Sequence, residues 1–234
     1  MKIEGIYLVT DRKACAPARI EDVVLQAVEG GVSVVQLREK ELDTRGFVEE
    51  AIRLQRLLKP KGVPLLINDR IDVALAAGAD GVHIGQSDMP YPLARKLLGS
   101  QALIGLSVEN EEQLMAAEML DVDYLGVSAI FPTPTKIDTK YCWGIDGLRR
   151  ARKMSSHRLV AIGGIGKENA AAVLEAGADA LAVVSAICAA GNPAQAAMAL
   201  HEIYRKIRKP TPDGRLRPPD AAKQHLTPTK WAHD

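Results

Sequence analysis

A chain of 234 residues can form one large domain or two small ones, and a hydrophobic fraction of 47% suffices for a sizeable core. A formal net charge of +1 gives no reason to expect a nucleic-acid or membrane-surface partner, so any positive charge that matters must be local. No run approaches the roughly 20 apolar residues of a membrane span, and no signal-peptide core precedes Asp11, Arg12 and Lys13. Cys15, Cys142 and Cys188 are far apart and form no C-x-x-C, which suits a reducing cytoplasm.

Short runs rich in Val, Ile and Leu alternate with helical patterns along most of the chain. Strands are predicted at 5–10, 33–38, 64–68, 81–84, 103–107, 124–127, 159–162 and 180–184. Helices are predicted near 20–29, 44–59, 71–77, 91–98, 111–120, 145–153, 167–176 and 193–209. Glu29-Gly-Gly-Val32, Ala77-Gly-Ala-Asp80 and Ala176-Gly-Ala-Asp179 each end a helix with glycine, the residue that supplies a left-handed C-cap. Nearly continuous apolar strands such as Ala180-Leu-Ala-Val-Val184 suit a sheet buried on both faces. Eight βα pairs predict an α/β protein, a single-domain (β/α)8 TIM barrel over residues 1–209; an open doubly wound sheet is the alternative. Residues 210–234 have no periodicity and carry five prolines, and are expected to form a weakly ordered tail outside the fold.

In such a barrel the active site lies at the C-terminal ends of the strands. Strand two runs out into Gln36, Arg38 and Lys40 at alternating positions, which puts three polar side chains on one face; a solvated charge cluster is the other reading. Strand three delivers Asn68 and Asp69, strand four Gln86 and Asp88, and strand five Ser107. Parallel neighbours lie roughly 4.8 Å apart, so Asp69 and Asp88 are placed to share a Mg2+, which takes one or two carboxylates and fills its shell with water and phosphate oxygens. Taken singly, Asp69 could instead cap the helix at Ile71 and Asp88 could be a turn residue near Pro90. His83 is expected as a hydrogen-bonded barrel histidine rather than a ligand or base. Strand six enters the stiff loop Ile130-Phe-Pro-Thr-Pro-Thr-Lys136, and long loops of this kind are usually functional; an ordinary mobile loop is the other reading. Glycines at 163, 164 and 166 and Ser185 after strand eight leave backbone N–H groups open to a phosphate. A diphosphate with its metal on one side and a monophosphate on the other suggest two phosphorylated substrates joined with loss of diphosphate.

Eight motifs, in order from the first strand to about Lys209, carry a family resemblance: Tyr7-Leu-Val-Thr-Asp11, Gln36-Leu-Arg-Glu-Lys40, Asn68-Asp-Arg70, Gly81-Val-His-Ile-Gly-Gln-Ser-Asp88, Ile104-Gly-Leu-Ser107, Phe131-Pro-Thr-Pro-Thr-Lys136, Ala161-Ile-Gly-Gly-Ile165 and Val184-Ser185. As a set they resemble the thiamine phosphate synthase family. The resemblance implies that hydroxymethylpyrimidine diphosphate and thiazole phosphate combine to thiamine monophosphate and diphosphate. Departure of the diphosphate comes first, leaving a carbocation for the thiazole nitrogen. It also implies that Gln36, Leu37, Arg38, Glu39, Lys40, Asn68, Ser107 and Lys136 line the pyrimidine diphosphate site, with Arg38, Lys40, Ser107 and Lys136 catalytic. Asp69 and Asp88 would hold Mg2+, and Thr133, Pro134, Thr135, Gly164, Val184 and Ser185 the thiazole phosphate. Three cationic side chains and Mg2+ then exceed the two aspartates by about three charges, which matches a nearly fully ionised diphosphate. Val108-Glu-Asn110 and the stretch 139–143 depart from the usual pattern. A thiazole tautomerase of the same fold would need a histidine where Glu109 and Asn110 stand, and a non-catalytic phosphate sensor would need no diphosphate-metal site. The oligomeric state, a homo-oligomer included, is left open.

Overall fold

The inward and outward sides of each strand follow from its alternation, and closure of the sheet turns that alternation into two cores. The computed structural model describes residues 3–133 and 142–208. Its strands are β1 (Gly5–Val9), β2 (Val32–Leu37), β3 (Leu65–Asn68), β4 (Gly81–Ile84), β5 (Leu103–Val108), β6 (Tyr124–Ser128), β7 (Leu159–Ile162) and β8 (Ala180–Val183), each within one residue of its expected limits. They pair in parallel in chain order, and β8 returns to β1 to close the barrel.

The principal helices are α1 (Arg12–Cys15), α2 (Ile20–Glu29), α3 (Thr44–Leu58), α4 (Ile71–Ala77), α5 (Tyr91–Leu98), α6 (Glu111–Ala117), α7 (Gly144–Met154), α8 (Ala170–Glu175), α9 (Ser185–Cys188) and α10 (Pro193–Ile207). Two of them, α1 and α9, were not expected, being too short to show a helical period. The periodic helices carry one apolar stripe each, as Val23, Val24 and Ala27 on α2, and bury it against the outward residues of the strands in a continuous outer core. Tyr7, Val9, Val34, Leu66, Leu103, Tyr124, Val160, Ala180 and Ala182 point the other way and fill the barrel interior. Among the described residues the sheet is closed, not an open doubly wound one.

The Gly-Ala-Asp joints do more than turn the chain. Gly78 takes the expected left-handed conformation, whereas in the first joint that geometry falls on Gly31 and not on Gly30. Each aspartate before a strand clamps the base of the preceding one. Asp80 donates its N–H to the Leu65 carbonyl at 2.9 Å and accepts the Leu65 N–H on its side chain at 2.9 Å. Asp179 does the same with Leu159, and Asp123 with Ile104. Arg152 completes one clamp at 3.0 Å from Asp179, and Arg95 another at 3.0 Å from Asp123. First-strand N–H groups that would otherwise be buried without an acceptor are thereby satisfied. The described residues expected to act lie at the opposite end of the barrel.

Candidate active site

A cleft of about 1300 Å³ opens at the C-terminal ends of the strands, and the cluster expected there lines it: Gln36, Arg38, Lys40, Asn68, Asp69, Gln86, Asp88, Ser107, Thr133, Gly164, Val184 and Ser185. Pro134, Thr135 and Lys136 lie outside the described residues, as do 210–234.

β2 ends at Leu37, and the alternation of its last residues continues into the loop. Gln36, Arg38 and Lys40 therefore reach the cleft while Leu37 and Glu39 do not line it. Leu37 is packed in the outer core beneath the helices. Glu39 is buried and accepts Arg12 Nε at 2.8 Å and the backbone N–H groups of Lys40 and Glu41 at 2.7 Å each. Of the five residues expected at the substrate from this motif, these two place their side chains away from the cleft, and Glu39 brackets the loop that presents Lys40. Arg38 is oriented in turn by Asp11, whose Oδ2 lies 3.3 Å from Nη1, and by Thr10, whose hydroxyl accepts the Arg38 N–H at 3.0 Å.

Asp69 does not cap the following helix, since Arg70 occupies the N-cap of α4. Its backbone sits at φ 63° and donates to the carbonyl of His83 at 2.9 Å, so the chain turns abruptly off β3 and aims the carboxylate across the rim. Aspartate tolerates this left-handed geometry better than most residues. Lys40 Nζ lies 2.8 Å from Asp69 Oδ2. Asp88 does have the turn role weighed from sequence, accepting the Gly85 N–H at 2.7 Å. Burial, reinforced by the adjoining Asp69 carboxyl, pushes the Asp88 carboxyl above the usual carboxylate range. Among the described residues no group of three or more His, Cys, Asp or Glu side chains could hold a metal, so the aspartate pair is the candidate donor set. Two mutually repelling carboxylates beside open space fit Mg2+, which needs no more protein ligands than that.

The opposite side of the cleft is built from backbone. Gly163 and Gly164 have φ 105° and 63°, and a Cβ at Gly164 would lie 2.8 Å from Phe131 Cβ. Their bareness lets the loop after β6 lie down on β7, with Phe131 N–H donating to the Gly163 carbonyl at 3.1 Å. Asn169 pins the glycine loop by donating to the Gly164 carbonyl at 2.9 Å and accepting the Gly166 N–H at 3.0 Å. Ser185 opens α9, and the first N–H groups of a helix have no acceptor within it. Both Ser185 and Ala186 line the cleft.

The floor was not foreseen in full. Tyr7 and Tyr124, both buried, join Gln36, His83 and Ser107 in a continuous set of side-chain hydrogen bonds. His83 is hydrogen-bonded inside the barrel, as the sequence suggested. The tyrosines were hidden because an aromatic residue in a strand ordinarily reads as apolar core. Their signal was their inward parity within β1 and β6.

The chain matches the family described as Thiamine monophosphate synthase over residues 6–187. It is 57% identical over 202 residues to the thiamine-phosphate synthase of Albidiferax ferrireducens, covering 86% of this chain and 92% of that protein. It is 54% identical to that of Vibrio parahaemolyticus, with 84% and 96% covered. A solved structure, the thiamine phosphate pyrophosphorylase of Pyrococcus furiosus, superposes with a TM-score of 0.80 at 36% identity, covering 87% of this chain and 96% of that one. The barrel, the rim residues and these relatives lead to one assignment: the chain belongs to the thiamine monophosphate synthase family.

Proposed function

We propose that this protein is a transferase that joins hydroxymethylpyrimidine diphosphate to thiazole phosphate, giving thiamine monophosphate and diphosphate, with Mg2+ as its metal. The observation that carries this reading is one cleft holding both halves: Arg38, Lys40, Asp69 and Asp88 on one side, and the glycine loop with Ser185 on the other. Relatives at 54–57% identity named thiamine-phosphate synthase support it.

In this reading the pyrimidine diphosphate lies along Gln36, Arg38, Lys40, Asn68 and Ser107, with Lys136 from the loop after β6. Arg38 and Lys40 take the charge that develops as the methylene C–O bond breaks and the electron pair leaves with the diphosphate. Mg2+ held by Asp69 and Asp88 would neutralise part of that same charge. The backbone N–H groups at Gly164 and Ser185, with Thr133, Pro134 and Thr135, hold the thiazole phosphate so that the ring nitrogen forms the new C–N bond. Preorganised donors aimed at developing charge are worth about 3–4 kcal/mol each, and no strong base is required. The isomerase alternative lacks its histidine: Asn110 caps α6 by accepting the Gln113 N–H at 2.9 Å, and Glu109 lines the cleft. A cytoplasmic location is part of the proposal, supported by cysteine usage; no helix among the described residues is long and apolar enough to cross a membrane.

Purified protein incubated with both substrates and Mg2+ should form thiamine monophosphate and diphosphate in equal amounts. Absence of product with both substrates and metal at saturation would overturn the assignment.

A further inference from the structure

We infer that Tyr7, Tyr124 and His83 are positioning residues: a one-way chain of hydrogen bonds runs from Gln36 through them to Ser107 and leaves the Ser107 hydroxyl hydrogen for the bound pyrimidine diphosphate. The inference rests on the function proposed above and assigns to Ser107 the role of a donor of fixed polarity.

The chain is short at every link. Gln36 Nε2 donates to Tyr7 Oη at 2.8 Å, Tyr7 Oη lies 2.7 Å from Tyr124 Oη, Tyr124 Oη lies 2.8 Å from His83 Nδ1, and His83 Nε2 lies 2.8 Å from Ser107 Oγ. A phenol has one hydrogen to give. Tyr7 is buried, accepts from Gln36 and has Tyr124 as its other hydroxyl partner, so a satisfied Tyr7 hydrogen goes to Tyr124; Tyr124 then gives its hydrogen to His83 Nδ1. An imidazole that accepts at Nδ1 carries its hydrogen on Nε2 and donates it to Ser107 Oγ. The Ser107 hydrogen is left to point into the cleft. Burial drives both phenols well above their ordinary pKa, so each keeps the hydrogen that the chain requires.

The backbone makes room for this chain. In the register His83 pairs with Gly105, and Gly105 with Tyr124. The bare glycine lets the two rings stack across it at 5.4 Å. A Cβ on Gly105 would lie 2.0 Å from Tyr124 Cζ, and one on Gly126 would lie 2.8 Å from His83 Cε1. Neither space could be filled without displacing a link. The opposite polarity would turn only Ser107 lone pairs toward the diphosphate oxygens of the substrate, which when ionised have no hydrogen to offer them.

The test has two arms on the full chain. In protein labelled with 15N-histidine, a long-range 1H–15N spectrum should show His83, identified by its loss in His83→Gln, with hydrogen on Nε2 and none on Nδ1; hydrogen on Nδ1 would overturn the polarity. In the second arm Tyr124→Phe should lower kcat/KM about tenfold, the cost of one neutral hydrogen bond. The same substitution on Ser107→Ala should then cost almost nothing further. Equal losses in both backgrounds would mean that Tyr124 acts through packing alone, and would overturn the inference. Should Tyr124→Phe fail to fold, Tyr7→Phe, one link farther away, carries the same cycle. A wild-type protein that forms no thiamine monophosphate would sink the proposed function itself, and the histidine spectrum would still decide the direction of the chain.

Discussion

The Lys40 ammonium lies 2.8 Å from the Asp69 carboxylate, tying a residue assigned to the diphosphate to one assigned to its metal. The two come from the ends of adjacent strands, and the pair is open enough to water that its contribution to stability is small. Its importance lies in charge placement. Asp69→Asn should lower the rate on the order of 10²-fold and raise the Mg2+ concentration needed for half-maximal activity. Thermal stability should change little, because asparagine also tolerates the left-handed backbone found here. A Mg2+ titration indistinguishable from wild type would remove Asp69 from the metal site.

Asp88 predicts a pH effect. Its carboxyl is raised in the folded state by burial and by Asp69, so folding favours its protonated form. The resulting destabilisation is absent below the unfolded pKa of about 3.9 and complete above the raised folded value. Asp88→Asn, which keeps an oxygen for the Gly85 N–H, should therefore gain stability relative to wild type as the pH rises from about 4 to 7. Denaturant melts of both proteins without added metal would measure this, and a difference that is flat or of opposite slope would refute it.

The clamp at the base of the barrel should be sensitive to Asp179. Asp179→Ala strips the Leu159 N–H of its acceptor and leaves the largely buried Arg152 guanidinium without its carboxylate. A loss of about 2–3 kcal/mol is expected. Asp146→Ala, which removes a highly exposed pair with Arg149, should cost less than about 0.5 kcal/mol. Urea unfolding of the two variants side by side would show whether burial makes the difference.

Gly105→Ala should destabilise by about 1–3 kcal/mol or more through overpacking against the Tyr124 ring. Gly62→Ala meets no atom within 4 Å but holds φ 67°, so it should cost only about 1 kcal/mol. Similar losses at both positions would show that the barrel interior relaxes around the added methyl group.

Deleting residues 210–234 should leave cooperative unfolding and synthase activity nearly unchanged. The last helix already closes at Arg208, whose N–H donates to the Tyr204 carbonyl at 2.8 Å and whose side chain is buried against Ala178. A broadened melt of the shortened chain would indicate that the tail packs on the barrel.

The barrel was legible in the sequence because its determinants are local. Apolar runs such as Leu65-Leu-Ile67 and helix-ending glycines such as Gly78 are read within a few residues of themselves. The rim was legible for the same reason: in a closed parallel barrel, polar residues just past each strand converge whatever lies between them, so Arg38, Asp69, Asp88 and Ser107 could be placed together by counting strands. Contacts set by register and closure could not be obtained that way. Leu37 and Glu39 belong to the same motif as Gln36 and Lys40, yet the pleat turns them to the outer side. Tyr7 and Tyr124 are 117 residues apart, and their hydroxyls meet only because the strands close around a bare Gly105. Alternation along a strand assigns a side chain to a face; which partner it finds there depends on how eight strands are staggered, a property of the whole sheet that no single segment contains.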